Sequence, residues 1–539
     1  MREAQLRNLA VNQIGYPADG RKSFVCIGQG GPFEVVDSAG GEAVYRGETA
    51  QPRFDEAAGI TLCTGDFSAL TLPGSYFIRL GGENSARFVI AESPYAELQR
   101  GLLKAFYFFR CGCDLEEEFA GPWQHKACHL ADGTVYDEPG RKLDSVGGWH
   151  DAGDYGKYTG PGAKAVADLL LAYELYPQAF REPLPLPESG GGMPDVLHEC
   201  RYELDWLFKM QDERTGGAFH KLTTKQFPGL DVMPEDDLAD LYFLPVSATA
   251  TGCFAGVMAM AARVYRPFDG EFADRCLAAA ERAWRWLADH PDAPGFTNPG
   301  DVGTGEYGDN LDLDERYWAA AELFRTTGDE AYHREFLVLA AQQFPKYDLG
   351  WANMGAYGTI AYLFGDRAKA DPALYGRLLD GLIAEAERFA AISASDSYGI
   401  SLTPTDYSWG SNMVVLNRAM LLLLAYHLGG SKKYEVIALD HIHYLIGRNA
   451  LDISYVTGFG DRPVMHPHHR PSVGDKVAQP VPGLVAGGPN RGLNDDCMLE
   501  HLQGMPPAQC FIDDEQSYAG NEVTIYWNSP AVFVVSHFV

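Results

Sequence analysis

The chain has 539 residues, 46% of them hydrophobic and 12% aromatic, which is more than one small core holds and predicts two domains, one of them large. Its 43 Lys and Arg against 73 Asp and Glu leave a formal charge of −30. That balance argues against nucleic acid and anionic membrane as partners through simple repulsion and favours a neutral or polar ligand.

From Leu9 to about Ala91 short β-rich runs alternate with turn residues: Leu9 to Gln13, Ser23 to Ile27, Phe33 to Val36, Ile60 to Cys63, Ser75 to Leu80 and Arg87 to Ile90. Six or seven such strands predict a small β-sandwich over residues 1–92. In it Cys26 and Cys63 either face each other across the two sheets or sit as buried free thiols. After Ser93-Pro94 the period changes to helical, and residues 93–539 read as one large helical domain. Its helices are expected at Ala96 to Arg110, Ala163 to Tyr176, Val196 to Met210, Ala248 to Tyr265, Glu271 to Asp289, Asp314 to Thr326 and Ala331 to Gln343. Five more follow at Gly358 to Leu363, Leu374 to Ala391, Asn412 to Leu428, Lys433 to Gly447 and Thr524 to Val535. A dozen helices with no interleaved strand pattern predict helices packed on helices, conceivably two concentric rings. The sandwich is expected to bury apolar surface against them.

No run of about 18 apolar residues occurs, so no membrane-crossing helix is expected. Met1 to Val11 carries no charged-then-apolar signal segment, which as written predicts a cytoplasmic chain, or a secreted one if a signal was removed. Ten cysteines without framework spacing read as free or metal-bound thiols.

The stretch Gly147 to Tyr158 reads Gly-Gly-Trp-His-Asp-Ala-Gly-Asp-Tyr-Gly-Lys-Tyr. Asp151 and Asp154, separated only by Ala and Gly, sit in a loop able to bend tightly and aim both carboxylates at one water. A solvated acidic turn is the plain alternative. Upstream, Cys111, Cys128 and His129 join His150 as four N/S ligands, the number a closed tetrahedral zinc site needs. Cys113 and His125 compete for those places. Asp461 to Arg470 carries His466, His468 and His469 with two prolines and Arg470, a rigid loop that suits donors to a hydroxylated ligand better than a metal site. Near the C-terminus, Glu522 lies between Asn521 and an apolar helix start. There it is either a half-buried acid with a raised pKa or a plain helix cap. A carboxylate pair in one loop and a protonated glutamate in another supply the base and acid of glycoside hydrolysis.

Three blocks together resemble glycoside hydrolase family 9, the inverting cellulases, in its subgroup with an N-terminal immunoglobulin-like domain. These are the Asp-Ala-Gly-Asp loop, Ser454 to Arg470, and the C-terminal block with Asp513, Tyr518, Glu522 and Asn528; Val11 to Pro17 is also similar to the opening of that subgroup's sandwich. The resemblance implies a mainly α fold, an (α/α)6 barrel preceded by the sandwich. It implies Asp154 as general base, Asp151 helping to hold the water, and Glu522 as general acid. His468, Arg470, Tyr518 and, less firmly, His466 would line the sugar subsites, and Cys111, Cys128, His129 and His150 would hold structural zinc. Thr304, Glu306, Asp309 and Asn310 with Asp348 resemble a calcium site, though Glu306 and Asn310 stand where aspartates are expected, and Glu188 with Asp195 would form a second. The implied substrate is a β-1,4-glucan or cello-oligosaccharide cut internally by a monomer. The alternatives are an exo-acting member releasing glucose, cellobiose or glucosamine, and a non-catalytic carbohydrate-binding protein.

Overall fold

The computed structural model describes residues 8–539. Its described residues divide into two compact units that do not follow sequence order: residues 8–105, 384–468 and 478–539 make one, and residues 106–383 with 469–477 the other.

The first unit opens with ten strands: β1 (Leu9–Ala10), β2 (Gly15–Pro17), β3 (Ser23–Ile27), β4 (Pro32–Asp37), β5 (Ala43–Glu48), β6 (Arg53–Asp55), β7 (Ile60–Asp66), β8 (Gly74–Leu80), β9 (Glu83–Asn84) and β10 (Phe88–Ala91). One sheet runs β1-β3-β7-β6, the other β2-β10-β8-β4-β5 with β9 beside β8. Tyr16, Phe24, Phe33, Ile78 and Phe88 fill the space between them. Cys26 and Cys63 are register partners on neighbouring strands of one sheet, not across two, and both are free.

The long helices are α1 (Ala96–Phe108), α2 (Thr159–Leu175), α3 (Asp195–Met210), α4 (Ala248–Tyr265), α5 (Gly270–Asp289), α6 (Leu313–Thr327), α7 (Glu330–Ala340), α8 (Gly355–Leu363), α9 (Pro372–Ser395), α10 (Ser411–Gly429), α11 (Lys432–Leu445) and α12 (Ile525–Ser536). Local chemistry sets their starts: the side chains of Ser247, Asp269 and Thr524 accept backbone N–H groups of the first turns of α4, α5 and α12. Every residue of α4 except Arg263 is buried. Its Gly252 admits α6, because a Cβ there would lie 2.5 Å from the Cβ of Glu315. Helix α10 is long and apolar enough to cross a membrane, yet 61% of that window is buried, as in a core helix.

One sequence expectation changes. The second unit carries a five-stranded sheet, made of β11 (Gly133–Val135), β12 (Glu138–Leu143), β13 (Lys157–Tyr158), β14 (Lys221–Thr223) and β15 (Tyr242–Phe243) in the order β12-β11-β15-β14-β13. Strands of two or three residues are too short to show a period. Within the first unit, polar contacts join the sandwich to the helices. Asn12 bonds to His443 and Tyr95, Gln13 to Asp452, Arg21 to Asp440, and Asp55 accepts the Ser397 N–H.

Candidate active site

The Gly147–Tyr158 loop is held from four directions. Gly147 and Gly148 take positive φ, and a Cβ on Gly148 would strike Trp206 at 2.6 Å. Cys111 donates its N–H to Gly148 O at 2.8 Å, and His150 donates to Phe109 O at 2.8 Å, so the loop lies along residues 109–111. Trp149 is buried, with its amide on Glu203 and its indole N–H on Glu199. Trp149, Tyr155 and Tyr158 therefore pack the loop from below and leave sugar stacking to other rings. Arg470 closes the fourth side. Its Nη1 donates to Gly153 O at 2.9 Å, and Nε and Nη2 donate to Pro228 O, so this side chain braces the loop where a subsite donor was expected.

Both aspartates are buried by this frame. Asp154 accepts the Gly156 N–H at 2.6 Å; burial raises its pKa, while the Arg470 charge, that hydrogen bond and Lys221 pull it back down. Asp151 donates its own N–H to Gly156 O, and its Oδ2 accepts the Tyr307 hydroxyl at 2.5 Å. Its Oδ1 is buried without a hydrogen-bond partner, and burial pushes its pKa well above the usual carboxylate range. An orphaned acceptor next to a second buried carboxylate can take a water's hydrogen.

The expected metal ligands Cys111, Cys128, His129 and His150 converge, with ligand atoms within 4.8 Å of one another. The two sulfurs are 4.0 Å apart, and Cys128 Sγ is 3.8 Å from His150 Nε2. His129 sits at φ +50 with Nδ1 buried and unpartnered, while Nε2 meets Asp237 at 3.3 Å. A carboxylate on the far nitrogen fixes the tautomer and leaves the near lone pair for a metal. Burial lowers His150 to about 4, which keeps it neutral as a ligand must be. Cys113 lies outside the group, and His125 bonds to Lys126 O.

In the first unit, His468 and Glu522 form a parallel backbone bridge, and Glu522 O accepts Gly487 N at 2.9 Å. Glu522 closes the short helix Tyr518–Asn521 and precedes Thr524, which does the capping of α12. The plain cap reading of Glu522 is thereby corrected. Asp513 accepts the N–H groups of Met465 and His466 at 2.8 and 2.9 Å and ties the histidine stretch to the C-terminal block. His468 Nδ1 lies 2.6 Å from Glu515 O, and His466 is exposed. Tyr518 is 40% exposed, its ring 5.9 Å from His468 and 5.5 Å from Trp409, itself 44% exposed.

The acidic stretches depart from expectation. Thr304 Oγ1 and Gly305 O accept hydrogen bonds from Lys221 Nζ, Glu306 accepts Asn298 N, and Asp348 accepts Leu349 N; Glu306, Asn310 and Asp348 are exposed. Only Asp309 of that set keeps a buried, unpartnered oxygen, and it shares this with Asp314 and Glu315. Burial raises all three, Asp314 to about 6. Glu188 is bidentate on Arg110 at 2.8 and 3.1 Å, while one oxygen of Asp195 accepts Leu184 N and Ser189 Oγ. The expected second calcium pair is thus occupied by protein partners. Tyr307, Lys221, Asp237, Trp409, Asp314 and Glu315 are the residues sequence reasoning missed; all act through contacts distant in the chain.

A family model described as glycosyl hydrolase family 9 matches residues 95–535. The chain belongs to this family. A second model, a cellulase N-terminal Ig-like domain, matches residues 4–85. The chain is 37% identical to a cellodextrinase of Butyrivibrio fibrisolvens, over 98% of this chain and 99% of that one. A single-mutant thermostable endoglucanase from Alicyclobacillus acidocaldarius superposes with TM-score 0.94 at 43% identity, covering 99% of each chain. A zinc-binding triple mutant of a family 9 endoglucanase matches with TM-score 0.92 at 35% identity, over 97% of this chain and 99% of that one. This family 9 member is a glycoside hydrolase of mainly α fold, with the (α/α)6-barrel type of catalytic domain following an Ig-like sandwich.

Proposed function

We propose that this family 9 enzyme is an endo-acting β-1,4-glucanase that cleaves cellulose-like chains or cello-oligosaccharides with inversion. Asp154 takes the proton of the attacking water, Asp151 holds that water through Oδ1, and Glu522 protonates the departing glycosidic oxygen. The observation that carries this reading is the asymmetry of Asp151: Tyr307 anchors Oδ2, and Oδ1 remains buried and unsatisfied. Similarity to proteins named cellodextrinase and endoglucanase supports the substrate class. Trp409, Tyr518 and His468 offer rings to sugar faces, with His466 at their margin, and Arg470 acts by holding Gly153. Inversion requires the Glu522 and Asp154 carboxyls about 6.5–9.5 Å apart so that a water fits between them.

Zinc is assigned to Cys111, Cys128, His129 Nδ1 and His150, where it would stabilise the loop start and leave the chemistry to the carboxylates. Calcium is assigned to the region of Asp309, Asp314 and Glu315, where each carboxyl keeps one buried oxygen without a hydrogen-bond partner; an ion there would draw these oxygens together, since they do not converge within 4.8 Å as the Cys and His atoms do.

The test is product analysis on cello-oligosaccharides. Wild type is expected to release internal fragments whose new reducing ends appear first as the α-anomer by proton NMR. Asp154→Asn and Glu522→Gln are each expected to lose nearly all turnover while retaining oligosaccharide binding. Initial β-anomer, or an active Asp154→Asn, would overturn the assignment. Glucose or cellobiose released one unit at a time would favour the exo-acting reading.

A further inference from the structure

Lys221 opens β14, which pairs antiparallel with β13 so that Lys221 stands opposite Tyr158, four residues beyond Asp154. Its side chain is fully buried, a costly place for an ammonium group unless the surroundings supply oxygen acceptors and negative charge. Both are present. Nζ donates to Gly305 O at 2.6 Å and to Thr304 Oγ1 at 3.1 Å, and it lies 5.5 Å from the centre of the Tyr158 ring. Burial lowers Lys221 to about 8, while the carboxylates of Asp154 and Glu306 act to keep it charged.

The neighbouring residue grips the same turn. His220 Nε2 lies 3.2 and 3.1 Å from the carbonyl oxygens of Glu306 and Tyr307, and Nδ1 lies 2.9 Å from Ser247 Oγ. Its ring stacks on Phe296 at 3.7 Å. Between them, the two side chains hold four consecutive residues, 304–307, and the last of these is strained: Tyr307 takes φ +47, a left-handed conformation that a non-glycine residue keeps only when its surroundings enforce it. From that conformation the Tyr307 hydroxyl reaches Asp151.

We propose that Lys221 is a positioning residue of the hydrolytic site. Its ammonium fastens the turn that presents Tyr307 to Asp151 and places a buried positive charge beside Asp154. The proposal rests on Asp154 being the base. Charged groups facing Asp154 are Asp151, Arg470 and Lys221. Arg470 already has Nε and both terminal nitrogens on backbone carbonyls, so Lys221 is the cation whose removal alters the field with the Gly153 brace left intact.

The experiment compares Lys221→Met, Lys221→Arg and Asp154→Asn in the full chain, reading kcat, KM and the pH profile of kcat/KM. Loss of the positive charge favours protonated Asp154, so the acid limb of Lys221→Met is expected to move to higher pH. Its kcat is expected to fall on the order of 100-fold as Tyr307 and Asp151 lose their alignment, with KM little changed because Lys221 is closed to substrate. Lys221→Arg keeps the charge and is expected to restore the acid limb while kcat stays reduced. A merely structural lysine would lower thermal stability and leave the acid limb unmoved, and that result overturns the proposal. Should Lys221→Met be insoluble, Lys221→Arg decides alone, since an acid limb displaced to higher pH in that variant also overturns it. An active Asp154→Asn would instead remove the base assignment.

Discussion

Two regions of this enzyme are rich in metal-ligating residue types and fold to opposite effect. Cys111, Cys128, His129 and His150 bring their ligand atoms within 4.8 Å of one another, and Asp237 turns His129 inward. In the acidic run from Thr304 the oxygens are spent elsewhere: Thr304 on Lys221, Glu306 on the Asn298 amide, with Glu306 and Asn310 exposed. The contrast follows from donor chemistry. A buried thiol or neutral imidazole nitrogen has few protein partners that satisfy it, so a cluster of them persists as a cluster. A carboxylate or hydroxyl finds backbone N–H groups and lysines in most loops; Asp309 and Asp314 each spend one oxygen on such an amide, and the second oxygen of each, with one of Glu315, stays buried and unpartnered.

The largest expected effect sits at the first region. Cys111→Ser removes one thiolate and is expected to abolish the proposed zinc binding and slacken the backbone pairing that places His150 and hence Asp151. Hydrolysis is expected to fall by about 100-fold or more. Metal analysis by mass spectrometry, with kcat on the same preparation, checks this. An active Cys111→Ser without zinc would show that the loop holds its shape through Glu203, Glu199 and Arg470 alone.

The second effect is smaller and confined to stability. Asp314→Asn combined with Glu315→Gln is expected to abolish a calcium-dependent rise in Tm. A ligand at 100 times its dissociation constant contributes about 2.7 kcal/mol to the folded state of the wild type. Scanning calorimetry with and without calcium reads this directly. A calcium response that survives the double substitution but disappears in Glu306→Gln would return the site to the run beginning at Thr304.

How much of this was legible in sequence depended on distance along the chain. The helical period marked Ala248–Tyr265 to the residue, because period is local, and the structure adds Ser247 as its cap. Strand β5 (Ala43–Glu48) escaped notice: it is a sheet edge, half exposed, and Arg46 and Gly47 disrupt its β-like composition. At the site, the four soft ligands and the two aspartates were readable as types at spacings. Tyr307 meets Asp151 across 156 residues, Asp237 meets His129 across 108, and Lys221 meets Thr304 across 83, so no short window of sequence contains any of the three pairs. The bracing role of Arg470 was hidden for the same reason, since its acceptor at Pro228 lies 242 residues away.

The smallest effect tests the other expected calcium pair. Burial alone would raise the Glu188 carboxyl, but the hydrogen bonds and charge of Arg110 outweigh it and hold the group below its ordinary value. A carboxylate depressed in the folded state contributes stability above its unfolded pKa, and that contribution is lost as pH falls through the folded one. Glu188→Gln is therefore expected to lower Tm by about 1–3 °C at neutral pH. The gap between variant and wild type should close as pH drops below about 4, the ordinary glutamate range. Glu188 is partly exposed and Arg110 keeps Glu199, also at 2.8 Å, which holds the effect to this size. Calcium added at neutral pH is expected to leave that gap unchanged, because a guanidinium already stands where the ion would bind. A calcium-dependent gap would mean that Arg110 yields Glu188 to the metal and that the two acidic stretches are alike after all.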